Sequence, residues 1–499
     1  MRTERTKSRW AELLDFTIDP TSAQPLFQQI HRHLQNAIIS GRLPSGSRLP
    51  STRQLADRLK LSRTSTLSAY EKLATEGYIE TIIGSGTFVT SDLPKIAAKP
   101  AQAGQNRLPQ NFGGGLSAYA SKATEVTSDL FTTDAIPFVT GCSSIDAAAI
   151  EAWRRIGVRH FQTMDARNLR YSDPSGDPAL KTEVASYLRA SRAVRCDPDD
   201  ILIVSGAQQG IDLSMRTLLN VGDEVWIEDP GYLPTRAALA AQGAHLIPVP
   251  IDQEGLIVKQ GVRRSANAKA AYITPSHQYP TGAVMSLERR MDLLDWASRT
   301  GAWIIEDDYD SEFRYAGNSL PSLQGIDDNQ RVIYLGTLSK VLFPGTRIGF
   351  VVVPPELRKA FVAARFLTDR QPATLQQQIV AEFMREGFLT SHIRRMRQRY
   401  RDARDLLTQV LLEYLGDIVD VEIPEGGIQL SIFFKNDLGD VAIAVSARQQ
   451  GIYVRPLSSL YVEAPARKGL LLGFSGFENH LLRNAAIQLS RIIRHHAQA

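Results

Sequence analysis

Val332-Ile-Tyr-Leu-Gly-Thr-Leu-Ser-Lys340-Val-Leu-Phe-Pro-Gly-Thr-Arg347 opens as an apolar, β-prone run, passes through small and hydroxylated residues to a lysine, and closes on an arginine. A lysine at the end of a buried strand is partly withdrawn from water, which lowers its pKa and frees the amine for Schiff-base chemistry. Ile201–Val204, Glu224–Ile227, Ala270–Ile273, Ala302–Ile305 and Ile348–Val353 are further apolar runs, separated by segments of helical periodicity. Strands alternating with helices predict an α/β domain over residues 131–499, built on a mainly parallel sheet. In such sheets ligands gather at the C-terminal strand ends.

The residues that follow those runs are therefore the candidates for chemistry. Ser205-Gly-Ala-Gln-Gln-Gly210 leads from a strand into a helix, whose first amides and positive dipole end form a seat for a phosphate, although tight βα turns read the same way. Asp229-Pro-Gly-Tyr232 brings an aromatic face to the same rim, where a lone tyrosine also serves as packing. Glu306-Asp-Asp-Tyr-Asp310 brings carboxylates, a composition shared with helix caps. Taken with Lys340 and Arg347, the strand ends supply an amine, an anion seat, a second cation, a stacking ring and a carboxylate. That set is what pyridoxal phosphate requires.

The first fifth of the chain has a different character. Residues 1–91 hold twelve Lys+Arg against eight Asp+Glu, which accounts for the entire net charge of +4. A small basic domain is expected to meet a polyanion. After an arm over 1–22, Leu26, Phe27, Ile30, Leu34, Ala37 and Ile38 recur at helical spacing up to Gly41. Ser51 caps a second predicted helix carrying Leu55 and Leu59. Ser62 caps a third carrying Leu67, Tyr70, Leu73 and Ala74 before Gly77. Two β-prone runs around Gly84-Ser-Gly86 form a hairpin signal. Three short helices and a hairpin over 23–91 predict a winged helix-turn-helix; a small helical dimerisation module shares the helix spacing. The third helix opens with Ser62-Arg-Thr-Ser-Thr66, donors suited to base edges and phosphates. Residues 92–130, rich in Pro, Ala, Gly and Ser, read as a linker.

Composition narrows the classes. Hydrophobic residues at 43% and charged ones at 22% exclude a disordered or fibrous chain. No apolar stretch approaches the roughly 18 residues of a membrane span, and the charged N-terminus has no apolar secretory core behind it. Two cysteines, Cys142 and Cys196, without CxxC or paired histidines suggest neither a disulfide framework nor a zinc site, and point to the reducing cytosol.

Tyr171-Ser-Asp-Pro-Ser-Gly176, Ser205-Gly-Ala-Gln208, Asp229-Pro-Gly-Tyr232, Thr274-Pro-Ser-His-Gln-Tyr-Pro-Thr-Gly282, Glu306-Asp-Asp-Tyr-Asp310 and Thr337-Leu-Ser-Lys340 to Arg347-Ile-Gly349 resemble fold-type I aminotransferases. Leu49-Pro-Ser-Thr-Arg53, Ser62-Arg-Thr64, Glu76-Gly-Tyr78 and Gly84-Ser-Gly-Thr87 resemble GntR-type winged helix-turn-helix domains. Joined in this order, they resemble a MocR-type transcriptional regulator, a likeness that covers nearly the whole chain except the arm and linker. The resemblance implies pyridoxal 5'-phosphate held by Lys340 as an internal aldimine, with Asp307 on the ring nitrogen, Tyr309 on the ring hydroxyl and Tyr232 stacked on the ring. It places Gly206, Ala207, Gln208, Thr337, Ser339 and Arg347 around the phosphate, and Tyr171 as a contribution from a partner subunit of a homodimer. For DNA it implies Arg53, Arg63, Thr64 and Gly86, to which Ser62 and Thr66 of the third-helix start are added.

Two departures bear on activity. Tyr279, counted among the cofactor's neighbours, stands where many aminotransferases have the Asn of Asn-Pro-Thr-Gly. Gly469-Leu-Leu-Leu-Gly-Phe-Ser475 carries leucines where a substrate-carboxylate arginine is expected. Arg455 is the candidate substitute anchor, with an exposed surface arginine as the alternative. The expected function is a cytoplasmic regulator that binds promoter DNA and senses an amine or amino-acid effector, or the cofactor itself. The competing classes are a working aminotransferase with an appended domain and a structural DNA-binding protein on a relic enzyme scaffold.

Overall fold

The computed structural model describes residues 18–22, 24–91, 115–127, 136–166, 170–317 and 321–498. The chain divides into two compact units, Met1–Gly114 and Gly115–Ala499.

In the first unit the helix Leu26–Ile39 buries Ile30, Leu34, Ala37 and Ile38, and the chain turns away at Gly41 with φ +74°. The helix Thr52–Leu59 starts from a capping box, in which the Ser51 hydroxyl accepts the Gln54 amide while the Gln54 side chain accepts the Ser51 amide. The Ser62 hydroxyl caps the helix Arg63–Thr75 by accepting the Ser65 amide at 3.2 Å. The inner face of that helix is Thr66, Ala69, Tyr70 and Leu73. Leu67 is 44% exposed, and Ala74 also faces out. Leu67 stands only one residue beyond Thr66, which turns it about 100° off the buried stripe. Strands β1 (Ile79–Ile82) and β2 (Gly86–Val89) pair antiparallel to form the wing. Of the expected arm, residues 1–17 lie outside the described residues; Ile18 packs against the helical core.

The second unit is built on eight strands: β3 (Ile201–Val204), β4 (Glu224–Asp229), β5 (His245–Asp252), β6 (Gly255–Leu256), β7 (Ala270–Ile273), β8 (Trp303–Asp308), β9 (Val332–Thr337) and β10 (Gly349–Val352). Their spatial order is β3-β10-β9-β8-β7-β4-β5-β6. The run β9-β8-β7-β4-β5 is parallel, β10 is inserted antiparallel between β3 and β9, and the short β6 pairs antiparallel with β5 at the edge. The central parallel strands β7, β8 and β9 are buried along their length, as expected where helices cover both faces, while β5 nearer the edge is only partly buried. Strand β5 escaped the apolar-run reading because Pro248 and Pro250 interrupt it; it lies next to the short edge strand β6, where proline is tolerated. A second, antiparallel sheet follows, formed by β11 (Val419–Glu422), β12 (Gln429–Phe434), β13 (Arg455–Pro456) and β14 (Gly469–Gly473), in the order β11-β12-β14-β13.

The expected linker differs in its second half. Residues 92–114 and 128–135 lie outside the described residues, but Ala118–Thr127 is an α-helix packed against the helix Leu233–Ala241. Ala118, Ala120 and Ala123 give this stretch a high helix propensity, which its polar composition masks. Among the described residues no helix is long and apolar enough to cross a membrane, and no cluster of His, Cys, Asp and Glu is placed to hold a metal ion.

Candidate functional site

The C-terminal ends of β4, β7, β8 and β9 open into a pocket of about 190 Å³ whose walls include Gly141, Ala207, Gln208, Tyr232, Tyr279, Asp307, Tyr309, Thr337, Ser339, Lys340 and Arg347. Tyr232, Asp307 and Lys340 meet here because each lies at or just beyond the end of a parallel strand of the same sheet edge, and Gly141 is brought to them from 199 residues before Lys340.

Lys340 stands three residues beyond β9. Its Nζ donates to the Gly141 carbonyl at 2.9 Å, and burial pushes the amine below the ordinary lysine value. Gly141 permits this approach, since a Cβ there would lie 2.5 Å from Nζ. Sequence reading missed Gly141, and no nearby motif marked it.

Asp307, the penultimate residue of β8, accepts the Tyr272 hydroxyl on Oδ2, while Oδ1 is buried without a partner among the described residues. Burial, reinforced by Asp308 and Asp310, lifts its carboxyl to about 7. A buried carboxylate oxygen with no donor is suited to a cationic N–H brought in by a ligand. Asp308 is engaged elsewhere, taking Arg192 Nε at 2.6 Å and the Tyr334 hydroxyl at 2.7 Å. Tyr309 lines the pocket with its hydroxyl 3.1 Å from His277 Nδ1, and His277 in turn lies 2.9 Å from Asp310. Tyr232 and Tyr279 meet edge to face with centroids 5.2 Å apart.

The anion seat follows β3. Gly206 (φ +86°) precedes the helix Ala207–Leu218, so the Ala207 and Gln208 amides have no acceptor within the helix. The Arg347 guanidinium donates to the Ser205 carbonyl at 2.6 Å and lies over Gly206, where a Cβ would come within 3.2 Å of it. Thr337 Oγ1 accepts the Ser339 amide at 3.1 Å, leaving the Ser339 hydroxyl buried and unpartnered. Helix amides, a guanidinium and a waiting hydroxyl fit a phosphate; the Asp307 oxygen fits a pyridinium; Lys340 fits an aldehyde. The residues present therefore match pyridoxal phosphate.

Leu471, in the expected arginine position, is 0% exposed and packs with Tyr279, Phe433, Leu457 and Leu460. Its partner across β14 and β13 is Arg455. Arg455 donates to the Tyr453 hydroxyl at 3.1 Å, and its Nε is buried without a partner. Burial pushes the Tyr279 phenol up and Arg455 pulls it back, so this cation is felt in the pocket. Tyr171 is not brought to the pocket of its own chain: it is 75% exposed, with the Arg370 guanidinium 3.7 Å above its ring.

In the first unit, Arg53, Arg63 and Thr64 are exposed, and the Ser62 hydroxyl is occupied by its cap. Thr66 leaves the DNA-facing set. It is fully buried, and its hydroxyl donates toward the Thr52 and Arg63 carbonyls, because it occupies the inner stripe of its helix. Gly86 (φ +124°) accommodates Arg48, an exposed arginine that sequence reading did not single out; a Cβ at Gly86 would come within 2.9 Å of the Arg48 side chain.

Residues 140–470 match the family "Aminotransferase class I and II", and residues 26–89 match "Bacterial regulatory proteins, gntR family". The chain is 35% identical over 466 residues to the "Probable rhizopine catabolism regulatory protein MocR" of Rhizobium meliloti, covering 93% of each. It is 28% identical to the "HTH-type pyridoxine biosynthesis transcriptional regulator PdxR" of Corynebacterium glutamicum, covering 96% of this chain and 98% of that one. Among solved structures, Pyrococcus horikoshii kynurenine aminotransferase in complex with PMP superposes with TM-score 0.67 at 27% identity, covering 77% of this chain and 96% of that one.

Proposed function

The chain belongs to the MocR-type transcriptional regulators, a gntR-family head joined to an aminotransferase class I and II domain, and on that premise we propose that it binds promoter DNA under the control of a small amine or amino acid. The observation that carries this reading is Asp307 Oδ1, buried and unpartnered in the same pocket as the withdrawn amine of Lys340. Pyridoxal phosphate, when bound, supplies an aldehyde that amines compete for and a visible chromophore.

The residues of this chain then have separate tasks. Asp307 holds a ring proton, Tyr232 and Tyr279 wall the ring, and the Ala207 and Gln208 amides with Arg347 and Ser339 anchor the phosphate. Lys340 would hold the cofactor's aldehyde, beside which an effector amine would sit. Arg455 is the anchor for an effector carboxylate. Tyr171 serves the pocket of a second copy in a homodimer. Arg53, Arg63, Thr64 and Gly86 face DNA. An effector alters DNA binding only by favouring one of two arrangements over the other.

Leu471 supports regulation over turnover. Without an arginine there, an amino acid lacks the bidentate clamp that orients its Cα–H bond. The test measures promoter binding with and without each of a panel of amines and amino acids, beside half-reaction rates. One effector should change DNA affinity, and Lys340→Ala should abolish that response while leaving basal affinity intact. Rapid multiple-turnover transamination with DNA binding indifferent to every effector refutes the proposal.

A further inference from the structure

A groove of about 990 Å³ lies back to back with the ring pocket, between the strand-end residues His277, Asp310, Ser311 and Arg314 and the segments 422–427 and 461–467 that flank the C-terminal sheet. The two cavities share a hydrogen-bonded pair: Tyr309 lines the pocket, His277 lines the groove, and the tyrosine hydroxyl lies 3.1 Å from His277 Nδ1.

The groove's acids are engaged. Asp310 lies against His277, Glu425 accepts Arg314 Nη2 at 2.8 Å, Glu422 accepts Arg467 at 3.2 Å, Asp252 accepts Arg289 at 3.1 Å, and Asp229 accepts three backbone amides. Three buried polar atoms on residues that line the groove have no partner among the described residues: His277 Nε2, on a side chain 7% exposed, Ser311 Oγ and Arg314 Nε. An arginine Nε can only donate, a serine hydroxyl donates or accepts, and a histidine Nε2 donates or accepts with its tautomer. Arg314 Nε therefore requires an acceptor, and an acceptor oxygen also suits the Ser311 hydroxyl and a His277 Nε2–H, since buried donors are costly to leave unpaired.

We propose that this groove is a second ligand site, for a small carboxylate. Five carboxylates against three guanidiniums line it, a balance that repels a dianionic phosphate more than a single carboxylate. Ile251, Val284 and Ile423 offer an apolar wall for the rest of the ligand.

The test is equilibrium dialysis of the full-length, cofactor-loaded protein with benzoate and hexanoate, using benzamide and inorganic phosphate as controls. At least one of the two carboxylates should bind saturably at one per chain, with benzamide and phosphate at least ten-fold weaker. Binding should persist in Lys340→Ala and fall at least ten-fold in Ser311→Ala and in Arg314→Gln. Ser311→Ala removes a hydroxyl and no packing, so it carries the test if Arg314→Gln fails to fold. The proposal is overturned if neither carboxylate saturates, if a control binds as well, if binding is lost in Lys340→Ala, or if it survives Ser311→Ala. Because the readout is binding rather than a response on DNA, its failure leaves the regulatory reading standing.

Discussion

Asp307→Asn should act in opposite directions on the stability of the cofactor-free protein and on its affinity for pyridoxal phosphate. The carboxyl is sealed at the end of β8, and burial is the main force lifting it from 3.8 to about 7. A carboxyl whose folded value lies above its unfolded value holds its proton more tightly when folded. Its contribution to stability is therefore fully present below about pH 4 and is lost as pH rises through about 7. At about 1.4 kcal/mol per pH unit, the rise is worth about 4 kcal/mol. Asparagine has nearly the same shape, its amide oxygen still accepts the Tyr272 hydroxyl, and it does not titrate. Urea denaturation of the cofactor-free proteins should find the variant the more stable at about pH 8 by up to about 4 kcal/mol, with the gap shrinking steadily toward about pH 5. With the cofactor the sign reverses. A charge-assisted hydrogen bond to the ring nitrogen is worth about 1.5–3 kcal/mol, so dialysis should find affinity weakened roughly ten- to hundred-fold. Parallel stability curves at every pH, or an unchanged cofactor affinity, would refute the placement of Asp307.

Arg63→Ala should reduce operator affinity by on the order of 1–3 kcal/mol if the guanidinium reads a base edge, measured by fluorescence anisotropy on specific and scrambled DNA; a uniform loss on both would make it a phosphate contact. Thr66→Val should instead cost about 1 kcal/mol of head stability, through its lost hydroxyl contacts to the Thr52 and Arg63 carbonyls, while operator affinity of the folded protein stays unchanged. Leu471→Arg should not restore an enzyme: a guanidinium in a fully buried apolar cluster, opposite Arg455, should cost about 3–5 kcal/mol, visible as a lowered melting temperature without a gain in transamination rate.

Much of the site was legible because strand-end chemistry is local. In a parallel sheet the residue after an apolar run is delivered to the ligand edge whatever the distant packing does, so Lys340, Tyr232, the acidic run Glu306–Asp310 and the Ser205–Gln208 turn could be assigned to the ligand edge from order alone. The head was legible for a similar reason: Ser51 and Ser62 act on amides three residues away, and caps of that range are written in the sequence. Proximity along the chain could not show which donors and acceptors were already taken. Asp307 and Asp308 are indistinguishable neighbours until Arg192 and Tyr334 claim the second and leave the first with a bare oxygen. Thr66 sits among the hydroxylated residues that open the third helix, yet the helix phase turns it inward. Gly141 carries no motif and becomes part of the site only because its backbone passes 2.9 Å from Lys340. Arg455 gains its meaning from one strand pairing, which sets it across from Leu471 and beside the pocket tyrosines. Fold class and the residue types at the ligand edge followed from periodicity and local capping, which act over a few residues. Which polar group remained free to act was decided by contacts between positions tens to hundreds of residues apart, and those exist only once the chain has packed.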